Sequence, residues 1–139
     1  MFKTILLPLD LTDKHEPALK LAVEMAGRSS GEIVLVHVIE TMAGLPYEEE
    51  RPFYDRLRRA AEAHLARYGK QLEERSVRWR SQVLLGSRLR EVLRCLVEIK
   101  ADLVLLTSPR VEPENLAGGW GSLSYKISLV APCPVLLVK

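Results

Sequence analysis

The sequence predicts an α/β domain on an open parallel sheet, and three observations carry that prediction. Five short runs rich in apolar residues read as strands. Four segments between them repeat apolar residues with helical period. The two kinds alternate from end to end, β-α-β-α-β-α-β-α-β, with no internal repeat, low-complexity tract or linker. One domain over residues 1–139, with helices on both faces of one sheet, follows from that alternation.

Lys3 to Asp10 is a near-continuous apolar run, the pattern of a parallel strand buried on both faces. From about Thr12 to Arg28, Ala18, Leu21, Ala22 and Met25 recur at the spacing of one helix face. Asp13 with Glu16 three residues on is a candidate capping box, and Pro17 suits a first turn. Gly31 breaks the chain, and Ile33 to Ile39 is a second buried strand. A polar, proline-containing loop near Thr41 to Pro52 precedes a longer helix. Its face runs through Phe53, Leu57, Ala60, Ala61, His64, Leu65, Tyr68 and Leu72. In the third strand Val77, Trp79, Ser81, Val83 and Leu85 alternate with Arg78, Arg80, Gln82 and Leu84, a half-buried pattern. Ser87 is a candidate cap for a third helix with the face Leu89, Val92, Leu93, Leu96 and Val97. Asp102 to Thr107 is the fourth strand. A loop from Ser108 to about Gly121 leads to a short helix near Leu123 to Leu129. Pro132 and Pro134 stop it, and Val135 to Val138 is the fifth strand.

Composition narrows the function classes. At 139 residues the chain can bury a real core, and 47% hydrophobic with 27% charged residues excludes disorder as a default. Twenty basic against eighteen acidic residues leave a net charge of +2, which predicts no nucleic-acid footprint. The opening MFKTILLPLDL is interrupted by Pro8 and Asp10 and lacks a small-residue cleavage site, so it reads as a strand, not a secretory signal. No run approaches the ~18 apolar residues of a membrane span. Cys95 and Cys133 make neither a disulfide framework nor a metal spacing, and a reducing cytoplasm is the expected compartment.

The two candidate edge strands differ. The third carries Arg78 and Arg80, with Arg75 just before it, and charge on an edge discourages pairing with another chain. The fifth, Val135-Leu136-Leu137-Val138, has only the terminal Lys139 for protection. As an edge it wants a partner, and a two-fold pairing of this strand predicts a homodimer.

Open parallel sheets bind ligands at the carboxyl ends of their strands. Here that rim holds Asp10, the His37–Val38 region, Gly86–Ser87 and Ser108. Neither G-x-G-x-x-G after a strand nor G-x-x-x-x-G-K-[ST] is present. Gly118-Gly119-Trp120-Gly121-Ser122-Leu123-Ser124 stands just before the last helix. Glycines let successive N–H groups converge on an anion at a helix N-terminus, and both serines can donate to phosphate oxygens. A flexible loop followed by a serine cap explains the same residues.

The chain resembles the universal stress protein family over essentially its full length. The matching pieces are ILLPLDLT (5–12), LVHVIE (35–40), the Gly86 turn, ADLVLLTS (101–108) and GSLSYKISLVAPCPVLLVK (121–139). The resemblance implies an adenine nucleotide alpha hydrolase-like sheet of five parallel strands in the order 3-2-1-4-5, with the third and fifth at the edges. Family members that bind ATP carry G-x-x-G, nine residues, then G-[ST]. Counted back from Gly121-Ser122, the first two glycines fall at Ser108 and Val111, with Pro109 between them. Val111 disfavours the positive φ that a glycine supplies, and Pro109 removes a donor. Glu112 and Glu114 add negative charge, which Arg110 can offset by pairing with a phosphate.

Carried over by position, Pro8, Leu9 and Asp10 resemble the first-strand contacts, with Asp10 accepting from ribose hydroxyls and the Val38 backbone meeting adenine. Gly121, Ser122, Leu123 and Ser124 would hold phosphates, leaving Thr107, Ser108 and Val111 as the altered part of the site. The resemblance therefore implies ATP, with Mg²⁺, or another adenine nucleotide as the ligand of a stress-response protein. The family also holds members that bind no ATP, and a dimeric interaction module acting through protein partners is the alternative. A slow ATPase or autophosphorylating enzyme using Ser122 or Ser124 has least support, since no Walker lysine or general base accompanies those serines.

Among the remaining residues, Asp10 can also cap the following turn. His37, within a buried strand, reads as a satisfied structural histidine, and His15, early in the first helix, can approach the crevice but reads rather as a surface residue. His64 falls on an apolar face, where packing is the default. The three histidines lack metal-ligand spacing, and neither cysteine has a base partner. Trp120 can cover a ligand or pack on its loop, and Tyr47, Phe53 and Tyr54 can form a lid or a partner surface.

Overall fold

The computed structural model describes residues 1–108 and 122–139. Among these residues, five parallel strands alternate with four helices: β1 (Thr4–Pro8), α1 (Glu16–Ser29), β2 (Glu32–Glu40), α2 (Arg51–Glu74), β3 (Arg78–Gly86), α3 (Arg88–Glu98), β4 (Leu103–Thr107), α4 (Leu123–Val130) and β5 (Val135–Val138). The sheet order is β3-β2-β1-β4-β5, as the resemblance implies, so β3 and β5 are its edges.

The strands sort their side chains by parity. Ile5 and Leu7 of β1, with Leu9 beyond it, join Ile33, Leu35, Leu103 and Leu105 on one face, covered by Ala18, Leu19, Ala22 and Ala26 of α1 and Leu65 and Leu72 of α2. Leu6, Val34, Val36, Val104 and Leu106 face the other way, under Val92, Cys95 and Leu96 of α3 and Ile127 of α4. Burial on both faces is why β1, β2 and β4 are near-continuous apolar runs.

Several local expectations are corrected. Helix α1 begins at Glu16, not Thr12, and no Asp13–Glu16 capping box forms, because His15 is the N-cap and makes no side-chain cap. The donors of the preceding turn go instead to Asp10, whose Oδ1 accepts from the Thr12 N–H at 3.0 Å. Ser87 does occupy the N-cap of α3 with extended backbone, but its hydroxyl caps nothing. The buried stripe of α3 runs through Val92, Cys95 and Leu96, leaving Val97 63% exposed. In α2 Tyr68 is buried as expected, but at the start of the helix the buried aromatic is Tyr54, not Phe53. Its hydroxyl donates to the Leu45 carbonyl and accepts from the Met42 N–H. Tyr54 thus pins the loop before α2 rather than serving as a movable lid.

Gly69 inside α2 has a packing reason. A Cβ there would lie 2.2 Å from the Trp79 indole, so its absence lets that ring lie against the helix. Trp79 then donates from Nε1 to Glu73 at 3.0 Å. On the charged edge, Arg80 pairs with Glu32 at 2.8 Å, and Arg78 donates to the Ser30 carbonyl. Among the described residues, no helix is long and apolar enough to cross a membrane.

Candidate functional site

The sheet splits open where its connections part. β1 pairs with β2 from Thr4 through Pro8, but with β4 only at Ile5 and Leu6. Helix α1, after β1, packs on one face, whereas α4, after β4, packs on the other. Neighbouring strands whose connections leave to opposite faces form the switch point of such a sheet. A cavity of about 220 Å³ lies there, lined by Pro8 at the end of β1 with Leu9 and Asp10 beyond it, Val36 to Val38 of β2, Thr107 of β4, and Ser122 to Ser124 at the start of α4. Lys14, His15 and Arg88 supply further polar groups.

One wall is a closed polar network around Asp10. Its Oδ1 accepts from the Thr12 hydroxyl and amide and lies 2.7 Å from His15 Nε2, while Oδ2 lies 3.0 Å from Lys14 Nζ. Partial burial pushes the Asp10 carboxyl up. Hydrogen bonds from the Thr12 hydroxyl, Lys14, His15 and the Thr12 amide outweigh it and hold the group well below the usual carboxylate range. Asp10 is therefore ionised, and it does cap the turn that follows it.

His15 overturns its expected surface position. Its residue is 4% exposed, with Nδ1 2.8 Å from the Thr107 hydroxyl across the crevice floor. Burial pushes its imidazole below the ordinary value, and Asp10 pulls back by hydrogen bond and charge without restoring it. The signal was available in sequence: His15 precedes Ala18 by three residues and Leu19 by four, on the buried stripe of α1. His37 is the satisfied histidine expected, with Nδ1 2.8 Å from the Leu9 carbonyl. His64 stacks edge-on against Tyr68.

The facing wall is the start of α4. Ser122 has extended backbone and its hydroxyl accepts from the Tyr125 N–H at 3.2 Å, an N-cap. Ser124 is buried, with its hydroxyl 3.3 Å from that of Ser122. Of the carried-over residues, Pro8, Leu9, Asp10, Val38, Thr107, Ser122, Leu123 and Ser124 all line one cavity. Ser108 does not. Its N–H donates to the Val138 carbonyl at 2.8 Å and its hydroxyl accepts from Lys139, which places it on the β4–β5 ladder. Pro109, Arg110, Val111, Glu112, Glu114, Trp120, Gly118, Gly119 and Gly121 lie outside the described residues. Sequence reasoning passed over Lys14 and Arg88; the latter pairs with Glu40 at 3.0 Å. Both free cysteines have thiols pushed up by burial, which disfavours the reactive thiolate.

Comparison with known proteins agrees with this architecture. The model of the universal stress protein family matches residues 1–139. A universal stress protein from the 3′ region of the QAH/OAS sulfhydrylase gene of Thermus aquaticus is 33% identical, with all of both chains covered. Among solved structures, the hypothetical protein MJ0577 superposes with a TM-score of 0.83 at 26% identity, covering 100% of this chain and 96% of that one. The fold is also that of the universal stress protein of Archaeoglobus fulgidus solved in complex with dAMP, with a TM-score of 0.74, 16% identity and coverage of 99% and 98%. The chain belongs to the universal stress protein family.

Proposed function

We propose that this universal stress protein binds an adenine nucleotide in the β1–β4 crevice and works as a homodimer in the cytoplasm. The observation that carries the reading is one cavity joining the ionised Asp10, the Val38 strand end and the Ser122–Ser124 helix start. Asp10 Oδ2 has lone pairs left for a ribose hydroxyl, the β2 end offers backbone polar groups to adenine, and Ser122 and Ser124 offer hydroxyls to phosphate. The dAMP complex of the Archaeoglobus relative supports the same ligand class. Arg110 and Gly121 belong to this proposal by sequence position alone.

Titrating nucleotide-stripped protein with ATP, ADP and AMP plus Mg²⁺ in a calorimeter tests it. We expect saturable binding of at least one, and affinities no tighter than millimolar for all three would sink the reading. One observation favours the alternative, a dimeric module without ATP. Asp10 Oδ1 is already saturated by Thr12 and His15, which leaves a single carboxylate oxygen for a ligand.

The dimer rests on the β5 edge. Leu137 is 38% exposed, and Leu129 and Val130 at the end of α4 are 66% and 54% exposed. All three are exposed apolar residues on the edge strand and the helix before it, and among the described residues β5 pairs only with β4. Light scattering should give twice the monomer mass, and Leu137→Lys should return it to that of one chain. A monomeric wild type at micromolar concentration removes this part of the proposal.

A further inference from the structure

The His15 ring bridges two groups of the crevice, and the state of its protons decides what the wall offers a ligand. Nε2 lies 2.7 Å from Asp10 Oδ1, and an ionised carboxylate brings no proton to that contact, so Nε2 carries it. The Asp10 N–H also points at Nε2 from 3.1 Å, but that longer, neutral contact loses to the charge-assisted one. In the neutral ring, Nδ1 is then a lone pair 2.8 Å from Thr107, and the Thr107 hydroxyl donates to it. With that proton committed, Thr107 Oγ1 has only lone pairs left for the cavity. Asp10 Oδ2 likewise only accepts. Adding a proton to Nδ1 reverses the bond: His15 donates, Thr107 accepts, and the Thr107 O–H turns to the cavity while the wall gains a positive charge.

We propose that His15 is a proton-linked specificity residue: the neutral ring suits a ligand hydroxyl at Thr107, and the protonated ring suits an anionic oxygen there. The proposal rests on the adenine-nucleotide reading of the crevice. The groups acting on His15 are Asp10 after β1, Lys14 in its own turn, His64 of α2, and Thr107 of β4, while Tyr68 of α2 donates to the nearby Thr12 carbonyl. Of these, Asp10 favours the proton, while Lys14, His64 and burial oppose it. The change therefore falls on the acid side of the ordinary imidazole range.

The test compares cyclic AMP, a phosphodiester of constant charge, with adenosine, which has hydroxyls and no phosphate, between about pH 8 and about pH 5. In the wild type the ratio of their association constants should rise about tenfold towards acid, the scale of leaving or filling one buried hydrogen-bond site. His15→Gln keeps a polar side chain but takes up no proton, so its ratio should stay flat. Thr107→Val retains the charge and loses the hydroxyl, so its rise should be smaller. A flat wild type, or an equal rise in His15→Gln, overturns the proposal. If neither ligand binds at either pH, the nucleotide reading fails on its own. Sulfate, also of constant charge, must then perturb the Ser122–Ser124 amide resonances more at acid pH than at alkaline pH in the wild type alone. Imidazole ¹⁵N shifts reporting Nδ1–H in the neutral ring overturn the proposal in either case.

Discussion

The two walls of the crevice are built by opposite means. The Asp10 wall is assembled from residues far apart in the chain, with His15 tying the end of β1 to Thr107 at the end of β4. The α4 wall is one contiguous segment in which Ser122 caps the helix that begins at Leu123. The first is electrostatic, with an ionised carboxylate whose neighbours already use most of its lone pairs. The second, among the described residues, presents two hydroxyls at a helix start. A ligand spanning the crevice meets one wall whose polarity depends on protons and one whose polarity does not.

Asp10→Ala should have the largest effect because it leaves donors without an acceptor. The Thr12 hydroxyl and N–H lose their acceptor, and the buried His15 Nε2 exchanges a charge-assisted contact for the residue 10 N–H, which faces it from 3.1 Å. Hydrogen bonds to a charged group are worth about 1.5–3 kcal/mol, so urea denaturation should show a loss of about 2 kcal/mol. A loss below about 0.5 kcal/mol, the range of an ordinary surface change, would mean the network is incidental to the wall. Ser122→Ala should cost less, about 1 kcal/mol for one N-cap, and should shorten α4 at its start without disturbing Asp10. Amide exchange at Tyr125 is the local check, since its N–H loses the Ser122 hydroxyl.

The difference between the walls also explains what sequence could and could not reveal. Strand runs such as ILLP and LVLL state their burial in composition, and β5 begins and ends where its apolar run does. Ser122 was legible because cap and helix are adjacent in the chain. The Asp10–His15–Thr107 connection was not, because it joins residues 92 apart through sheet order. His15 itself was misread by weighing its polarity above its position on the buried stripe of α1. The same error exchanged Phe53 for Tyr54: Tyr54 can be buried because Leu45 and Met42 satisfy its hydroxyl. Ser108 follows β4, and its N–H continues the ladder to Val138, a pairing that sequence position alone does not reveal.

The smallest expected effect is a change of slope, and it separates the walls most cleanly. His15 is harder to protonate folded than unfolded, where its value is near the ordinary 6.5. As pH falls below that, the unfolded chain takes up the proton first and folding weakens. The stability His15 contributes is thus fully present above the unfolded value and is lost as pH falls through the folded one. His15→Gln has no such proton to gain, so its deficit against wild type should narrow from about pH 7 to about pH 5 in matched urea titrations. Ser122→Ala touches no titrating group, so its deficit should stay constant over the same range. A His15→Gln deficit that widens towards acid would mean that Asp10 holds His15 charged in the folded state. The Asp10 wall would then be a fixed ion pair, no more responsive to protons than the serines opposite.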